Sequence, residues 1–194
     1  MHPYLNFYDK QIAQHLKGKA QDMRKVLEAL LSGGKRSFFI VIVGTLNVDQ
    51  NGQNILPLPM LFDNLINSQG FDGKLIVVDS DASDFKALAD RTSDKTTLIH
   101  DDFISVLHGL SISANVDIDL LFLGSSNDEI EDKSVATSKS MKAIPVIQDV
   151  LSDNSILVID EEQKNRSIGQ EIENVADEYE KQPILSSVLS GWRW

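Results

Sequence analysis

Phe38-Phe39-Ile40-Val41-Ile42-Val43-Gly44-Thr45 is the stretch that decides the fold class. Six apolar residues run without alternation, and four of them are β-branched, which suits a strand buried on both faces of a parallel sheet. The run then stops at a glycine and a polar residue. Four later stretches repeat this layout. They are Leu75-Ile76-Val77-Val78 before Asp79-Ser80-Asp81, Thr96-Thr97-Leu98-Ile99 before His100-Asp101-Asp102, Leu120-Leu121-Phe122-Leu123 before Gly124-Ser125-Ser126, and Ile156-Leu157-Val158-Ile159 before Asp160-Glu161-Glu162. In an open α/β sheet the polar tips lie together on the carboxyl edge, where such folds bind ligands.

The segments between these runs carry helical spacing. Residues 3–32 read as one helix, with Leu16, Ala20, Met23, Leu27 and Leu30-Leu31 on one face and Gly33-Gly34 as its stop. Further helices are expected from Met60 and over 83–91, 103–110, 134–151 and 168–180. Ser83 or Asp84 can cap the first of the four ranges and Ser134 the third, and Pro145 should kink or break that third helix. A long polar stretch, 45–59, separates the first strand from its helix, a length usually associated with function or mobility. Gly70-Phe71-Asp72-Gly73 turns the chain into the second strand, and 182–187 and 188–194 read as a terminal antiparallel pair. The expectation is an α/β, Rossmann-like doubly wound, mainly parallel seven-stranded sheet with an antiparallel C-terminal strand. One domain spans 1–194, with a leading helical segment (1–35) and an α/β core (37–194).

The formal net charge of -11 argues against a nucleic-acid partner, because phosphate neutralisation by Lys and Arg supplies most nonspecific affinity. The only local basic excess is Lys17, Lys19, Arg24, Lys25, Lys35 and Arg36, which reads as a solvated helix face. No run approaches the about 20 apolar residues that span a bilayer. The amino-terminal residues lack the layout of a secretory signal, and the absence of cysteine agrees with a reducing compartment. Cytoplasm is the expected location.

Several tips carry residues suited to a nucleoside. Gly44 lets backbone approach a ligand, although G-x-G-x-x-G is not completed and a simple tight turn is the competing reading. Asp79, at the second strand tip, can accept both hydroxyls of a ribose, with a structural role as the competing reading. Asp102 could accept the exocyclic amine of a purine with Phe103 packed on the ring; alternatively Asp101 or Asp102 caps the next helix and Phe103 is core. Asp160-Glu161-Glu162 has oxygens suited to Mg²⁺, but no further ligands converge in the sequence and no metal site is assigned. His100 and His108 are not at metal-pair spacing. Neither a G-x-S-x-G elbow nor a Walker A sequence occurs, since Gly33-Gly34-Lys35 precedes a strand.

From about residue 37 onward, the order of these motifs resembles a class I S-adenosylmethionine-dependent methyltransferase, most closely the small O-methyltransferases. Val43-Gly44-Thr45 matches the first strand turn, Val77-Val78-Asp79 the ribose acid, Asp101-Asp102-Phe103 the adenine segment, and Ser190-Gly191-Trp192-Arg193-Trp194 the last strand. The resemblance implies S-adenosylmethionine as cofactor, held by Gly44, Thr45, Asp79, Asp102 and Phe103. It also implies methyl transfer to a small-molecule acceptor, with Asp160 as the candidate base. The chain departs from the family at Ile42, where an acid is usual, in lacking a second motif glycine before Gly52, and at Gly124-Ser125, where an Asp is common. Ser152-Asp153-Asn154 replaces the usual Pro-Gly-Gly. These departures keep open a catalytically inactive Rossmann-like binding or assembly module, with room for a homo-oligomer. A nicotinamide oxidoreductase is a more distant third reading.

Overall fold

The computed structural model describes residues 2–44, 58–80, 85–113, 116–124, 133–160, 172, 174, 176, 182–186 and 189–194. Its seven strands are β1 (Ser37–Val43), β2 (Asp72–Asp79), β3 (Thr96–His100), β4 (Ile118–Leu123), β5 (Leu151–Asp160), β6 (Gln182–Ser186) and β7 (Leu189–Arg193). They form one sheet in the order β3-β2-β1-β4-β5-β7-β6. β1 to β5 pair in parallel, and β7 enters antiparallel between β5 and β6. The expected doubly wound α/β sheet with its antiparallel terminal strand is what forms.

Burial on both faces explains the unbroken apolar runs. Ile40 and Ile42 of β1, Leu120 and Phe122 of β4, and Ile156 and Val158 of β5 belong to one core. Their neighbours Val41, Val43, Leu121, Leu123, Leu157 and Ile159 belong to a second. Successive strand residues point to opposite faces, so the two cores lie on the two sides of the sheet. α2 (Ala20–Ser32) and α3 (Leu58–Asn67) cover the first side, and α5 (Phe103–Ser111) and α6 (Lys133–Val150) the second. Between β2 and β3 lies a short helix, α4 (Phe85–Ala89), whose Leu88 joins the first core. α6 continues through Pro145 without a break. Ile172, Asn174 and Ala176 are helical, as expected for 168–180.

Strand boundaries extend beyond the apolar runs. β2 starts at Asp72 because Asp72, Gly73 and Lys74 pair with Ser37, Phe38 and Phe39. β5 starts at Leu151, which pairs with Ile118 before a register shift. Ser155, inside this extension, donates its hydroxyl to the Ile118 carbonyl and accepts the Ser152 N–H.

The leading segment is not the single helix that its spacing suggests. α1 (Pro3–Phe7) passes into a π-helical turn, Tyr8–Ile12, then tight turns at Ala13–His15 and Lys17–Lys19, before α2 begins. This break lets Tyr4, Leu5, Tyr8, Ile12 and Leu16 all enter the first core. The buried Tyr8 hydroxyl donates to the Ala20 carbonyl at 2.6 Å, and Tyr4 donates to the Leu61 carbonyl at 3.1 Å. Burial raises the pKa of both phenols; the charge of Tyr8 adds to the effect on Tyr4, and that of Asp9 to the effect on Tyr8. Among the described residues, no helix is long and apolar enough to cross a membrane.

Candidate functional site

Strand register brings the polar tips together. The β1–β2 pairing runs from Ser37↔Asp72 to Val43↔Val78, so Gly44 and Asp79 end adjacent strands. Gly44 has φ 61°, a left-handed conformation that favours glycine, and its N–H donates to the Val78 carbonyl at 2.9 Å. On its other side, Gly124 donates its N–H to the Val43 carbonyl at 2.7 Å. The β2–β3 pairing ends at Asp79↔His100, which places His100-Asp101-Asp102 on the far side of Asp79. Three sequence-distant motifs therefore line up on three neighbouring strand ends. Thr45 lies outside the described residues.

The individual side chains differ in how far they are committed. Asp79 is only 8% exposed and already has an interaction within the protein, as a buried carboxylate requires. His100 is exposed, and its Nε2 lies 2.9 Å from the Ser80 carbonyl; a carbonyl only accepts, so Nε2 carries the hydrogen. Asp101 accepts the Asp102 N–H at 2.7 Å. Asp102 is the N-cap of α5, with its Oδ2 accepting the Ser105 N–H at 3.2 Å. Phe103 is half-buried against the second core. The capping and packing alternatives for Asp102 and Phe103 are thus both realised, while Asp102 stays exposed.

At the other end of the edge, Asp160 closes β5 and is 4% exposed. By strand alternation it shares the face of Ile156 and Val158, toward the leading helices. There its Oδ2 forms an ion pair with the Lys19 ammonium. Lys19 was legible only as one member of a basic cluster. Other members of that cluster are also paired: Lys35 with Asp119 at 2.6 Å, and Arg24 with Asp9 at 3.0 Å and with Glu28. Lys25, Lys35 and Arg36 are exposed and Lys19 and Arg24 partly so, in keeping with a solvated face that also carries ion pairs. Asp119 also accepts the Phe39 N–H at 2.7 Å, which ties β4 to β1 at the end opposite the tips. Among the described residues, no three His, Asp or Glu side chains gather as a metal ion would require. Glu161 and Glu162 lie outside the described residues.

The β1–β3 tips offer hydrogen-bond acceptors and a glycine turn. A buried carboxylate can accept from a diol, and an exposed carboxylate beside an aromatic residue can accept from an amine. A glycine turn allows a ligand to approach the backbone.

No family model and no curated protein sequence matches the chain. Solved structures do resemble it. The O-methyltransferase NovP superposes with a TM-score of 0.55 at 9% identity, over 89% of this chain and 78% of that one. The O-methyltransferase TomG from Streptomyces achromogenes, solved in complex with SAM, gives a TM-score of 0.54 at 9% identity, over 97% and 94%. The Methanococcus jannaschii fibrillarin pre-rRNA processing protein gives 0.50 at 9% identity, over 82% and 67%. Identities this low carry the fold and nothing finer. The chain has the Rossmann-like fold of the class I S-adenosylmethionine-dependent methyltransferases.

Proposed function

We propose that this chain is an S-adenosylmethionine-dependent methyltransferase acting on a small-molecule acceptor in the cytoplasm. The observation that carries the reading is the buried Asp79 carboxylate, flanked in register by the Gly44 turn and by His100-Asp101-Asp102. Asp79 would hold the ribose hydroxyls, Gly44 and Thr45 the methionine end, and Asp102 with Phe103 the adenine. When bound, S-adenosylmethionine supplies an electrophilic methyl group. The residues contribute chiefly by orienting donor and acceptor, which can supply much of the rate. Asp160, buried at the β5 tip, would take the acceptor's proton. A net charge of -11 favours a small acceptor over a polyanion.

Calorimetry with S-adenosylhomocysteine tests the reading. Single-site binding is expected, and Asp79→Ala should weaken it by roughly ten- to a hundredfold, as for lost hydrogen bonds to a charged group. No heat from the wild-type protein at high ligand concentration ends the cofactor claim. The second reading, a non-catalytic binding or assembly module, draws on the capping role of Asp102 and the ion pair of Asp160, since these carboxylates, like Asp79, already interact within the protein. Native mass spectrometry separates the two: a retained nucleoside supports the enzyme, and an empty stable oligomer supports the module.

A further inference from the structure

We propose that Lys19 is a positioning residue: its ion pair with Asp160 clamps the bend of the leading segment, residues 13–19, onto the acceptor half of the carboxyl edge and holds the Asp160 carboxylate there. The division into halves rests on the methyltransferase reading above; the clamp itself does not.

Contacts at both ends of α2 fix its direction. Arg193, whose register partner is Ile156 near the start of the paired part of β5, donates to the Ala29 carbonyl at 3.1 Å and to the Ser32 hydroxyl at 3.2 Å. Lys19, just before α2, meets Asp160 at the far end of the same strand. α2 therefore runs antiparallel to β5 and starts at the carboxyl edge. α1 begins near the opposite edge, where Tyr4 and Phe38 each pack on Phe71 with ring centroids 6.3 and 5.6 Å away. The chain between them must climb to the carboxyl edge and turn there, which sets residues 13–19 beside the β5 tip.

Among the described residues, the other contacts of the bend are mostly local. Its own backbone bonds are local, Leu16 N–H to the Ala13 carbonyl and Lys19 N–H to the Leu16 carbonyl, both 3.1 Å. Tyr8 to Ala20 ties the flanking helices, and Leu16 inserts into the first core. The long-range charged contact is Lys19 with Asp160. A carboxylate as buried as that of Asp160 gains from an opposite charge beside it, so the ion pair draws the bend toward the β5 tip. The β1–β3 tips, by contrast, are joined to one another by strand register and not by this ion pair.

Hydrogen exchange read by mass spectrometry tests the clamp. Peptides covering 13–19 are compared in the wild type, Lys19→Met and Lys19→Arg, alongside calorimetry with S-adenosylhomocysteine. In Lys19→Met, exchange at Leu16 and Lys19 should rise about tenfold while β1 stays protected, as expected for local opening. Lys19→Arg, which keeps the charge, should restore protection, a rescue that simple packing would not produce. The affinity for S-adenosylhomocysteine should stay within about twofold, since these contacts are separate. Unchanged exchange in Lys19→Met, or failure of Lys19→Arg to restore it, overturns the clamp. A tenfold loss of affinity would place the bend in the cofactor half and overturn the assignment to the acceptor half. If the wild type itself fails to bind, the cofactor reading and the half assignment fall, and exchange still decides the clamp. Should Lys19→Met not fold, Lys19→Met with Asp160→Asn removes both charges of the pair and is measured in its place.

Discussion

The two ends of the carboxyl edge are put together by different means. Along β3-β2-β1, backbone pairing does the work: Val43↔Val78 and Asp79↔His100 place Gly44, Asp79 and Asp102 on neighbouring strand ends. At β5, the defining contact is a side-chain ion pair between Asp160 and a lysine 141 positions away in the chain. The first arrangement follows once the strands are known. The second depends on the path of a broken helical segment that packs across the sheet. Different substitutions should therefore disable the two ends.

The largest effect is expected at the foot of the β1–β2 register, far from the tips. Gly73 has φ 142° and pairs with Phe38, and a Cβ there would overlap the Phe38 carbonyl. Gly73→Ala must strain the backbone or shift the pairing, at a cost of about 3 kcal/mol. Urea denaturation should show the lower midpoint. S-adenosylhomocysteine affinity should fall with it, since a one-residue slip would turn Asp79 to the other face. Unchanged stability would mean that the register is set elsewhere.

This contrast also explains what could be read beforehand. The central parallel strands announce themselves because burial on both faces demands unbroken apolar runs, as in Phe38 to Val43, whereas the edge strand β3 is only partly buried. Their polar ends are less legible, because Asp72 and Ser152 continue strands through backbone pairing that leaves no hydrophobic trace. Asp79 could be singled out by position alone. Lys19 could not, for its meaning comes from Asp160. The spacing from Ala20 to Leu31 describes α2 correctly, but its extension back through Leu16 fails, and nothing in it warns of the π-helical turn at Tyr8–Ile12. Gly18, between two lysines in the final tight turn, was the available hint that the helix is interrupted.

An intermediate effect is expected from Tyr8→Phe, which acts on the leading segment without touching the ion pair. The lost hydrogen bond to the Ala20 carbonyl should lower stability by about 1 kcal/mol in urea titrations. Its pH dependence is the sharper readout. Burial raises the pKa of Tyr8 above its unfolded value of about 10, so the folded state holds this proton more tightly. The stabilisation is complete below that pH and is lost as pH climbs toward the folded value. Tyr8→Phe should flatten part of this alkaline decline, leaving the contribution of Tyr4. An alkaline slope identical to the wild type would show that Tyr8 does not report on folding there.

The smallest effect on stability, that of Asp102→Ser, separates two roles that coincide at Asp102. Its carboxylate caps α5, and truncation to alanine should cost about 1 kcal/mol. Serine is an equally good N-cap but lacks the charge, so Asp102→Ser should keep the stability of the wild type. If the same carboxylate also receives the adenine amine, both variants should bind S-adenosylhomocysteine about tenfold more weakly. Thermal unfolding then distinguishes the two variants while calorimetry does not. Wild-type affinity in Asp102→Ser would make Asp102 a cap alone, and the register-built end of the site would stop at Asp79. That outcome would narrow the contrast between the two ends, because each would then carry one buried carboxylate with the role proposed for it.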